Sequence, residues 1–309
     1  MTSSQFIDLT HSISLTTTRP TIYPGDPDLQ ISSHTTVQKD GYAVRSLHFG
    51  THTGTHIDAP AHFVEGGRTV DQISFDELVG RALVVDLSRT QGGLKPRQKI
   101  EWEDLELAWA ENGRTSESGR PSGSSESGTL EDRLDSGRFK MLLVHTGWQY
   151  PSAATDATPG ASASSINAVS PPPMIPPLRP TPPKPDSETD ALPSPPQVPS
   201  FFDHPYFSSS VAKRLIASKY VRLFGSDTPN PDETPFNGVG GEDGYAFHEV
   251  FLGGDGLIAE NLTNLDKLLL QIHEDTQVQI EWIVSIIPMK FEGVDGSPAR
   301  AFAHTTRRT

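Results

Sequence analysis

The amino-acid sequence predicts an α/β protein with a mixed β-sheet and short flanking helices. Apolar runs of strand length recur along the chain, and stretches with the apolar spacing of a helix are interspersed among them. Strands that alternate with helices are typical of α/β folds. A dense histidine cluster, from His52 to His62, closely follows one of the strands, which is where catalytic residues often lie.

Seven strands and four short helices account for this pattern. Three strands precede the cluster: Phe6–Ile13, Leu29–Val37 and Tyr42–Phe49. Gly50, Gly54 and Pro60 then interrupt regular structure, so the cluster itself is expected on a loop. Beyond it, apolar runs predict strands at Ala82–Leu87, Phe139–Thr146, Val221–Gly225 and Gln277–Met289. Helical spacing predicts helices at Trp102–Glu111, Ser208–Ser218, Gly244–Phe251 and near Leu265–Gln271.

Two polar stretches are predicted to be low-complexity insertions in a single domain that spans residues 1–309. Residues 113–137 contain seven serines and five glycines, which is typical of a flexible linker. Residues 152–199 contain 14 of the 27 prolines, a composition that favours polyproline II or disorder over a packed core. Their P-x-x-P spacings would suit an SH3-like partner, although a solvated insertion is the simpler explanation.

The composition of the sequence limits which partners and which cellular location are expected for the protein. The formal net charge is −14, which argues against nucleic acid and anionic membrane surfaces as partners. The chain has no cysteine, so thiolate metal ligands and disulfides are excluded. Its first residues lack the features of a secretory signal, and no apolar run approaches the length of a membrane span. A soluble cytoplasmic protein is therefore expected.

The histidine cluster is the strongest functional signal in the sequence. His52, His56, Asp58 and His62 lie in the segment H-T-G-T-H-I-D-A-P-A-H, where packing alone gives no reason to concentrate them. Imidazole and carboxylate groups suit zinc or manganese, and a catalytic metal needs protein ligands plus an open position for water. The segment can supply three ligands and a proton carrier. The alternative is a solvated polar loop.

The same segment resembles the signature H-x-G-T-H-x-D-x-P-x-H of the cyclase superfamily, which includes bacterial kynurenine formamidases and isatin hydrolases. Further segments resemble family motifs in the same order: the opening strand at 8–13, the turn at 23–26, the strand end at 145–148, and residues 224–229, 259–262 and 295–300. The resemblance implies a kynurenine formamidase-like architecture, a swivelling β/α/β fold, and a homodimer or larger homo-oligomer.

By this resemblance, ligands from two parts of the chain would surround one or two divalent ions. His52, His56 and Asp58 match the residues that bind a first metal. His248 and Glu260, twelve positions apart as in the family, would join Asp58 around a second metal, with Glu260 bridging as well. Taken alone, His248 would be a structural histidine and Glu260 a surface glutamate. Two bridging carboxylates would offset the charge of two buried cations.

His62 matches the catalytic histidine of the family. A divalent metal lowers the pKa of bound water from about 15.7 to about 7, so that hydroxide can attack a carbonyl carbon near neutral pH. Imidazole titrates near that pH and can carry a proton from the attacking water to a leaving amine. The alternative makes His62 a fourth ligand, but a metal saturated by protein lacks the open position that catalysis needs.

The resemblance implies a metal-dependent, arylformamidase-like hydrolase that acts on an amide, lactam or related C–N bond of a small-molecule substrate. The alternatives are a lyase, dehydratase or cyclase acting on a polyketide-like or hydroxy-acid substrate, and a non-enzymatic scaffold. Tyr23 stands where kynurenine formamidases have a tryptophan that stacks on the substrate. It is either a substrate-binding residue or a turn aromatic that packs on the core. His145 stands where an arginine is common in the family.

Overall fold

The chain folds around a mixed β-sheet, and the computed structural model describes residues 6–15, 22–90, 93–115, 128–148, 201–235, 241, 243–274 and 281–306. The strands are β1 (Phe6–Asp8), β2 (Gln30–Thr35), β3 (Val44–His48), β4 (His56–Asp58), β5 (Val79–Asp86), β6 (Lys99–Ile100), β7 (Met141–His145), β8 (Tyr206–Phe207), β9 (Leu223–Ser226), β10 (Leu257–Glu260), β11 (Glu281–Pro288) and β12 (Gly296–Thr306). The α-helices are α1 (Val37–Asp40), α2 (Phe75–Leu78), α3 (Trp102–Thr115), α4 (Leu130–Asp135), α5 (Ser209–Ala217), α6 (Ala246–Gly253) and α7 (Leu265–Glu274). Short 3₁₀ helices cover Pro60–His62, Val70–Gln72 and Phe201–Asp203.

The main sheet closes on itself. Its strand order is β1-β12-β11-β5-β7-β9-β10-β4, and β4 also pairs with the first residues of β12. β5, β7, β9 and β10 run parallel to one another, whereas the pairings of β4, β11 and β12 are antiparallel. The predicted α/β class, with a mixed sheet and short helices, is confirmed.

The parallel strands are covered on both faces. In β7, Met141 and Leu143 enter one apolar core with residues of α7, while Leu142 and Val144 enter a second core with residues of α3 to α6. All four side chains are fully buried. Parallel strands buried on both faces have nearly continuous apolar sequences, which is why the sequence indicates these strands so directly.

Most predicted elements are present with shifted ends, and one is much shorter than expected. The first predicted strand, Phe6–Ile13, is wrong beyond Asp8, because the ladder with β12 ends there. Leu9 and Thr10 still form hydrogen bonds with Ala301, and an isolated bridge joins Thr10 to Leu262. Of the last predicted strand, Gln277–Met289, the first four residues lie outside the described residues, and the rest corresponds to β11.

Three strands of the main sheet were not predicted, and they matter most for the cluster. His56 and Asp58 lie on β4 rather than on the expected loop, because β10 and β12 pair with it from both sides. A strand of three residues is too short to show a period. In β12, the inward positions are Ala299, Ala301 and Ala303, and alanine has a low preference for strands.

The prediction of a flexible linker at residues 113–137 is wrong at both ends. Helix α3 continues to Thr115, and α4 follows with Leu130 and Leu134 buried in the second core. Thr129 begins α4 with a capping box, in which its side chain accepts a hydrogen bond from the backbone of Asp132. Residues 116–127 and the predicted insertion 152–199 lie outside the described residues, so those parts stay predictions.

Among the helices that the structure describes, none combines the length and the apolar character needed to cross a bilayer. The expected cytoplasmic location and homo-oligomer stay predictions.

Candidate metal centre and cavity

Strand pairing brings three of the predicted ligands together. His56 and Asp58 are two residues apart on β4, so both side chains project from the same face, while Ile57 projects into the first core. Glu260, the last residue of β10, lies directly opposite His56 in the antiparallel register. The sheet itself therefore fixes two carboxylates and an imidazole side by side.

The other predicted site residues come from segments around this strand pair. His52 lies in the turn before β4, His62 ends the 3₁₀ helix after it, and the buried His248 lies on α6. Three groups of side chains have ligand atoms within 4.8 Å of one another: His52, His56 and Asp58; Asp58, His248 and Glu260; and His52, His62 and Asp295. Asp58 belongs to two of these groups, as the resemblance implied.

The nitrogen and oxygen atoms of the first two groups converge. His56 Nε2 lies 3.2 Å from Asp58 Oδ1 and 3.2 Å from Glu260 Oε2. His248 Nε2 lies 3.2 Å from Glu260 Oε1 and 3.5 Å from Asp58 Oδ2. The two oxygens of Glu260 thus face different histidines, which is the arrangement expected of a bridging carboxylate.

This donor set fits a divalent metal. His56 Nε2, Asp58 Oδ2 and Glu260 Oε1 are buried and form no hydrogen bond. Leaving several buried polar atoms without a partner is costly, and a cation among them would satisfy all three. Imidazole nitrogens and carboxylate oxygens are the ligands that zinc and manganese accept.

Hydrogen bonds to Nδ1 of His56 and of His248 orient both rings so that Nε2 faces the carboxylates of Asp58 and Glu260. The carbonyl of Gly54, a residue with φ of +72°, lies 2.9 Å from His56 Nδ1. Asp232 Oδ2 lies 2.5 Å from His248 Nδ1, and the Asp232 carboxylate also accepts from the backbone N–H groups of Phe247 and His248. Such outer partners fix the orientation of metal-binding histidines. Asp232 was not predicted, because sixteen residues separate it from His248.

A second unpredicted residue contacts both remaining histidines. Asp295 Oδ2 lies 3.0 Å from His52 Nε2 and 3.1 Å from His62 Nδ1. Asp295 belongs to a late segment that resembles a family motif, but the sequence alone assigned it no role. Only its position beside the start of β12, next to β4, brings it to the histidines.

The carboxylates make the site strongly attractive to cations. Burial lowers the pKa of His56, but Asp58 and Glu260 outweigh burial and raise that pKa well above its usual range. Burial likewise opposes protonation of His52, yet Asp58 and Asp295 raise its pKa to about 9. Groups that attract a proton this strongly also attract a divalent metal, whose binding would displace the proton.

A cavity of about 330 Å³ opens onto these residues. Four phenylalanine and tyrosine rings contribute to its walls, and the lining consists of Tyr23, Asp26, His52, His56, His62, Phe63, Phe202, Pro229, Asn230, Tyr245, His248 and Glu260. Among the described lining residues there is no lysine or arginine. The cavity therefore suits a small, flat, apolar group placed beside a polar centre.

Tyr23 lies in the cavity wall and is the first residue of a tight turn. Asp26 N donates to the Tyr23 carbonyl at 2.9 Å across the intervening Pro24 and Gly25, and Gly25 has φ of +107°. Proline and a positive-φ glycine at these positions are typical of a type II turn. The Tyr23 hydroxyl lies 3.2 Å from that of Tyr245, and burial followed by this hydrogen bond raises the pKa of the Tyr23 phenol. Tyr23 therefore stays protonated.

Comparison with known proteins identifies the family of the chain. Residues 7–233, well over half of the chain, match the family model Cyclase. The chain belongs to this family. His248 and Glu260 lie beyond the matched residues, so their part in the site rests on their geometry.

Two kynurenine formamidases are similar to part of the chain. A kynurenine formamidase of Salinibacter ruber is 36% identical over 92 residues, which cover 29% of this chain and 42% of that protein. A kynurenine formamidase of Bacillus cytotoxicus is 30% identical over 108 residues, covering 34% and 50%. The matches thus span about half the length of these relatives or less.

Solved structures extend the similarity to the whole fold. An isatin hydrolase bound to the product analogue thioisatinate has a TM-score of 0.60 at 19% identity, covering 99% of this chain and 93% of that one. Isatin hydrolase A from Ralstonia solanacearum has a TM-score of 0.58 at 20% identity, covering 98% and 92%. At this level of identity, the likeness shows a shared fold.

Proposed function

We propose that the protein is a metal-dependent hydrolase that cleaves an amide or lactam C–N bond in a small aromatic substrate. The observation that carries this proposal is the convergence of five ligand-type side chains beside one cavity, which four of them, His62 and several aromatic rings line. The two relatives described above are kynurenine formamidases and the two structures described above are isatin hydrolases, which supports the same reaction class.

His52, His56 and Asp58 would hold one ion, and Asp58, His248 and Glu260 a second. Zinc and manganese both suit this set of nitrogen and oxygen ligands. When bound, such a metal supplies Lewis-acid chemistry, since it lowers the pKa of water and polarises a carbonyl oxygen. The protein contributes buried, fixed ligands.

His62 would move the proton during hydrolysis. Water adds its oxygen to the carbonyl carbon, the C–N bond breaks, and the nitrogen must gain a proton to leave as an amine. His62 lines the cavity with Nδ1 bonded to Asp295, so its Nε2 is available to take the proton from water and deliver it to the nitrogen.

The cavity walls would select the rest of the substrate. Phe63, Phe202, Tyr23 and Tyr245 offer ring faces and edges within a volume suited to one or two fused rings. The paired hydroxyls of Tyr23 and Tyr245 add a hydrogen-bonding group to one wall. These features favour formanilides and isatin-like lactams over long or highly charged molecules.

Metal analysis combined with a substrate panel tests the proposal. Protein reconstituted with zinc or manganese is expected to retain about one or two equivalents after desalting. Of a panel of formanilides, isatin-like lactams and lactones, at least one C–N substrate should be hydrolysed to acid and amine in equal amounts.

Two histidine variants serve as controls. His56→Ala removes a buried ligand and should lose both metal and turnover, whereas His34→Ala changes an exposed histidine of β2 and should lose neither. A wild-type protein that holds no metal under these conditions would contradict the metal centre. Turnover of a hydroxy acid without uptake of water would favour a lyase or dehydratase instead.

A further inference from the structure

We propose that Asp295 is a positioning residue that holds the proton carrier His62 and the metal ligand His52 through a single carboxylate oxygen. This inference rests on the proposed function, because it assigns a role within the same site. Asp295 lies outside the two ligand groups that share Asp58, and it is absent from the cavity lining.

The contacts of Asp295 use both of its oxygens. Oδ2 lies 3.0 Å from His52 Nε2 and 3.1 Å from His62 Nδ1, and Oδ1 accepts from the Thr51 hydroxyl at 3.1 Å. The two imidazole rings lie with their centres 4.0 Å apart and their planes inclined by 31°. One oxygen therefore sets the position of two rings that lie almost on top of each other.

These contacts fix which nitrogen of His62 carries hydrogen. A nitrogen that bonds to a carboxylate must donate, so neutral His62 carries its hydrogen on Nδ1 and has a free lone pair on the opposite nitrogen. Both nitrogens of His52 face carboxylates, because Nδ1 lies 2.7 Å from Asp58 Oδ1 and Nε2 lies 3.0 Å from Asp295 Oδ2. A metal held by Nδ1 in the first ligand group would replace the hydrogen there and leave Nε2–H to donate to Asp295.

In His62 the nitrogen with the free lone pair is Nε2. Only an unprotonated nitrogen can accept a proton from water, so this tautomer makes His62 a base from the start of the reaction. A carboxylate that holds a catalytic imidazole in its reactive tautomer has the same effect in serine proteases. Asp295 thereby links the ligand arrangement of His52 to the proton-accepting state of His62.

The backbone keeps Asp295 in this position. Its carbonyl accepts a hydrogen bond of 2.9 Å from Ala59 N, and the next residue, Gly296, pairs with Asp58 at the start of β12. A Cβ atom on Gly296 would lie 2.6 Å from His52 Cε1, so only glycine lets the ring rest against this strand. The pairing with β4 and this glycine therefore keep Asp295 beside His52.

The other role open to Asp295 is that of a ligand, because His52, His62 and Asp295 form the third group of converging atoms. Asp295→Asn separates the two roles. The asparagine amide has the size of the carboxylate, but it can donate as well as accept hydrogen bonds, so it does not require each histidine ring to donate. If Asp295 is a positioning residue, the variant should keep the metal content of the wild type. If Asp295 is a ligand, the variant should lose metal.

The experiment uses the zinc-loaded full-length chain and three variants. For Asp295→Asn, kcat should fall by about 10- to 100-fold, which is the usual effect of removing a residue that hydrogen-bonds to a metal ligand. KM should change by less than about twofold. Asp295→Glu should recover part of the lost rate. His34→Ala, at an exposed histidine of β2, serves as the control and should stay within about threefold of wild type.

A spectroscopic measurement tests the inference without activity. In ¹⁵N–¹H correlation spectra of the histidine rings, assigned with His62→Gln, wild type should show His62 protonated on Nδ1, and Asp295→Asn should show a mixture of tautomers. Loss of metal from Asp295→Asn would overturn the proposal in favour of a ligand. An unchanged His62 tautomer together with an unchanged kcat would overturn it altogether. If no substrate is found, the proposed function fails, whereas the spectra still decide the role of Asp295.

Discussion

His62 differs from the ligand histidines in how much of its side chain solvent can reach. Its side chain is 28% exposed, compared with 4% for His56 and 6% for His248. A ligand gains from burial, because water competes for the metal. A proton carrier needs the opposite, since it must exchange its proton with the cavity and with solvent. The exposure of His62 therefore supports a proton carrier.

Substitution of His62 separates the two roles at the residue scale. His62→Ala should keep its metal and lose about 10²- to 10⁴-fold in kcat, the usual contribution of general acid–base catalysis. His56→Ala, its buried counterpart, should lose metal and activity together. Elemental analysis and steady-state rates on the same preparations of both variants provide the measurement.

Two results would contradict this role for His62. A His62→Ala protein that purifies without metal would make His62 a ligand, in agreement with the group formed by His52, His62 and Asp295. A variant with wild-type activity would exclude His62 from the reaction. Added imidazole that partly restores the rate of His62→Ala would strengthen the proton-carrier role, because the free base can occupy the vacated space.

At the scale of elements, the sequence predicts best what is encoded locally. The parallel strands β5, β7 and β9 stand out because their central residues are buried on both faces and are therefore mostly apolar. The spacing of the histidines and the aspartate from His52 to His62 is also local, so a metal site in this segment could be predicted from the residues alone, while the family resemblance proposed His52, His56 and Asp58 as its ligands.

The remainder of the site depends on contacts between distant segments. His62 and Asp295 are 233 residues apart, and strand β4 exists only because β10 and β12 flank it. No pattern within a short window reports such a contact. His248 and Glu260 could be proposed only by family resemblance, and Asp232 and Asp295 were missed because the resemblance assigned them no role.

Helix α4 was missed for another reason, because the composition of the sequence around it is that of a linker although the helix itself packs in the core. Its surroundings are rich in serine and glycine, yet Leu134 is only 1% exposed and belongs to the second core. Leu134→Ala should lower the free energy of unfolding by about 2–5 kcal/mol, as for other buried leucines. Urea unfolding monitored by circular dichroism gives this difference.

The matched control is Leu107→Ala on α3, where the leucine is 56% exposed. Because little apolar surface is lost there, the free energy of unfolding should change by less than about 0.5 kcal/mol. Equal, small effects of the two substitutions would mean that α4 does not contribute to the core and that the flexible-linker prediction holds for residues 128–137 as well.

At the scale of the whole molecule, a buried charge pair joins the ends of the central strands. His145, at the end of β7, lies 2.8 Å from Asp227 Oδ2, just after β9. Asp227 also accepts from Thr146 N and Oγ1 and from Gly147 N. The pair therefore ties two neighbouring parallel strands and the loop that follows β7.

The charge on His145 makes this connection dependent on pH. Burial opposes protonation, but the hydrogen bond and charge of Asp227, with smaller contributions from Asp86 and Asp266, raise the pKa of His145 above its usual value. A raised folded-state pKa means that folding favours the protonated form. Its contribution to stability is therefore complete below the unfolded pKa of about 6.5 and is lost as pH rises through the folded-state pKa.

His145→Gln isolates this contribution, because glutamine can still donate to Asp227 but never carries the charge. The variant should be less stable than wild type at about pH 5.5, and the difference should shrink steadily as pH rises to about 9. Urea unfolding of both proteins across this range measures it, and taking the difference cancels titrations elsewhere, including those of the metal centre. A difference that stays constant with pH would mean that His145 is neutral in the folded protein. In that case His145, unlike the arginine common at this position in the family, would join the strands by hydrogen bonding without a charge.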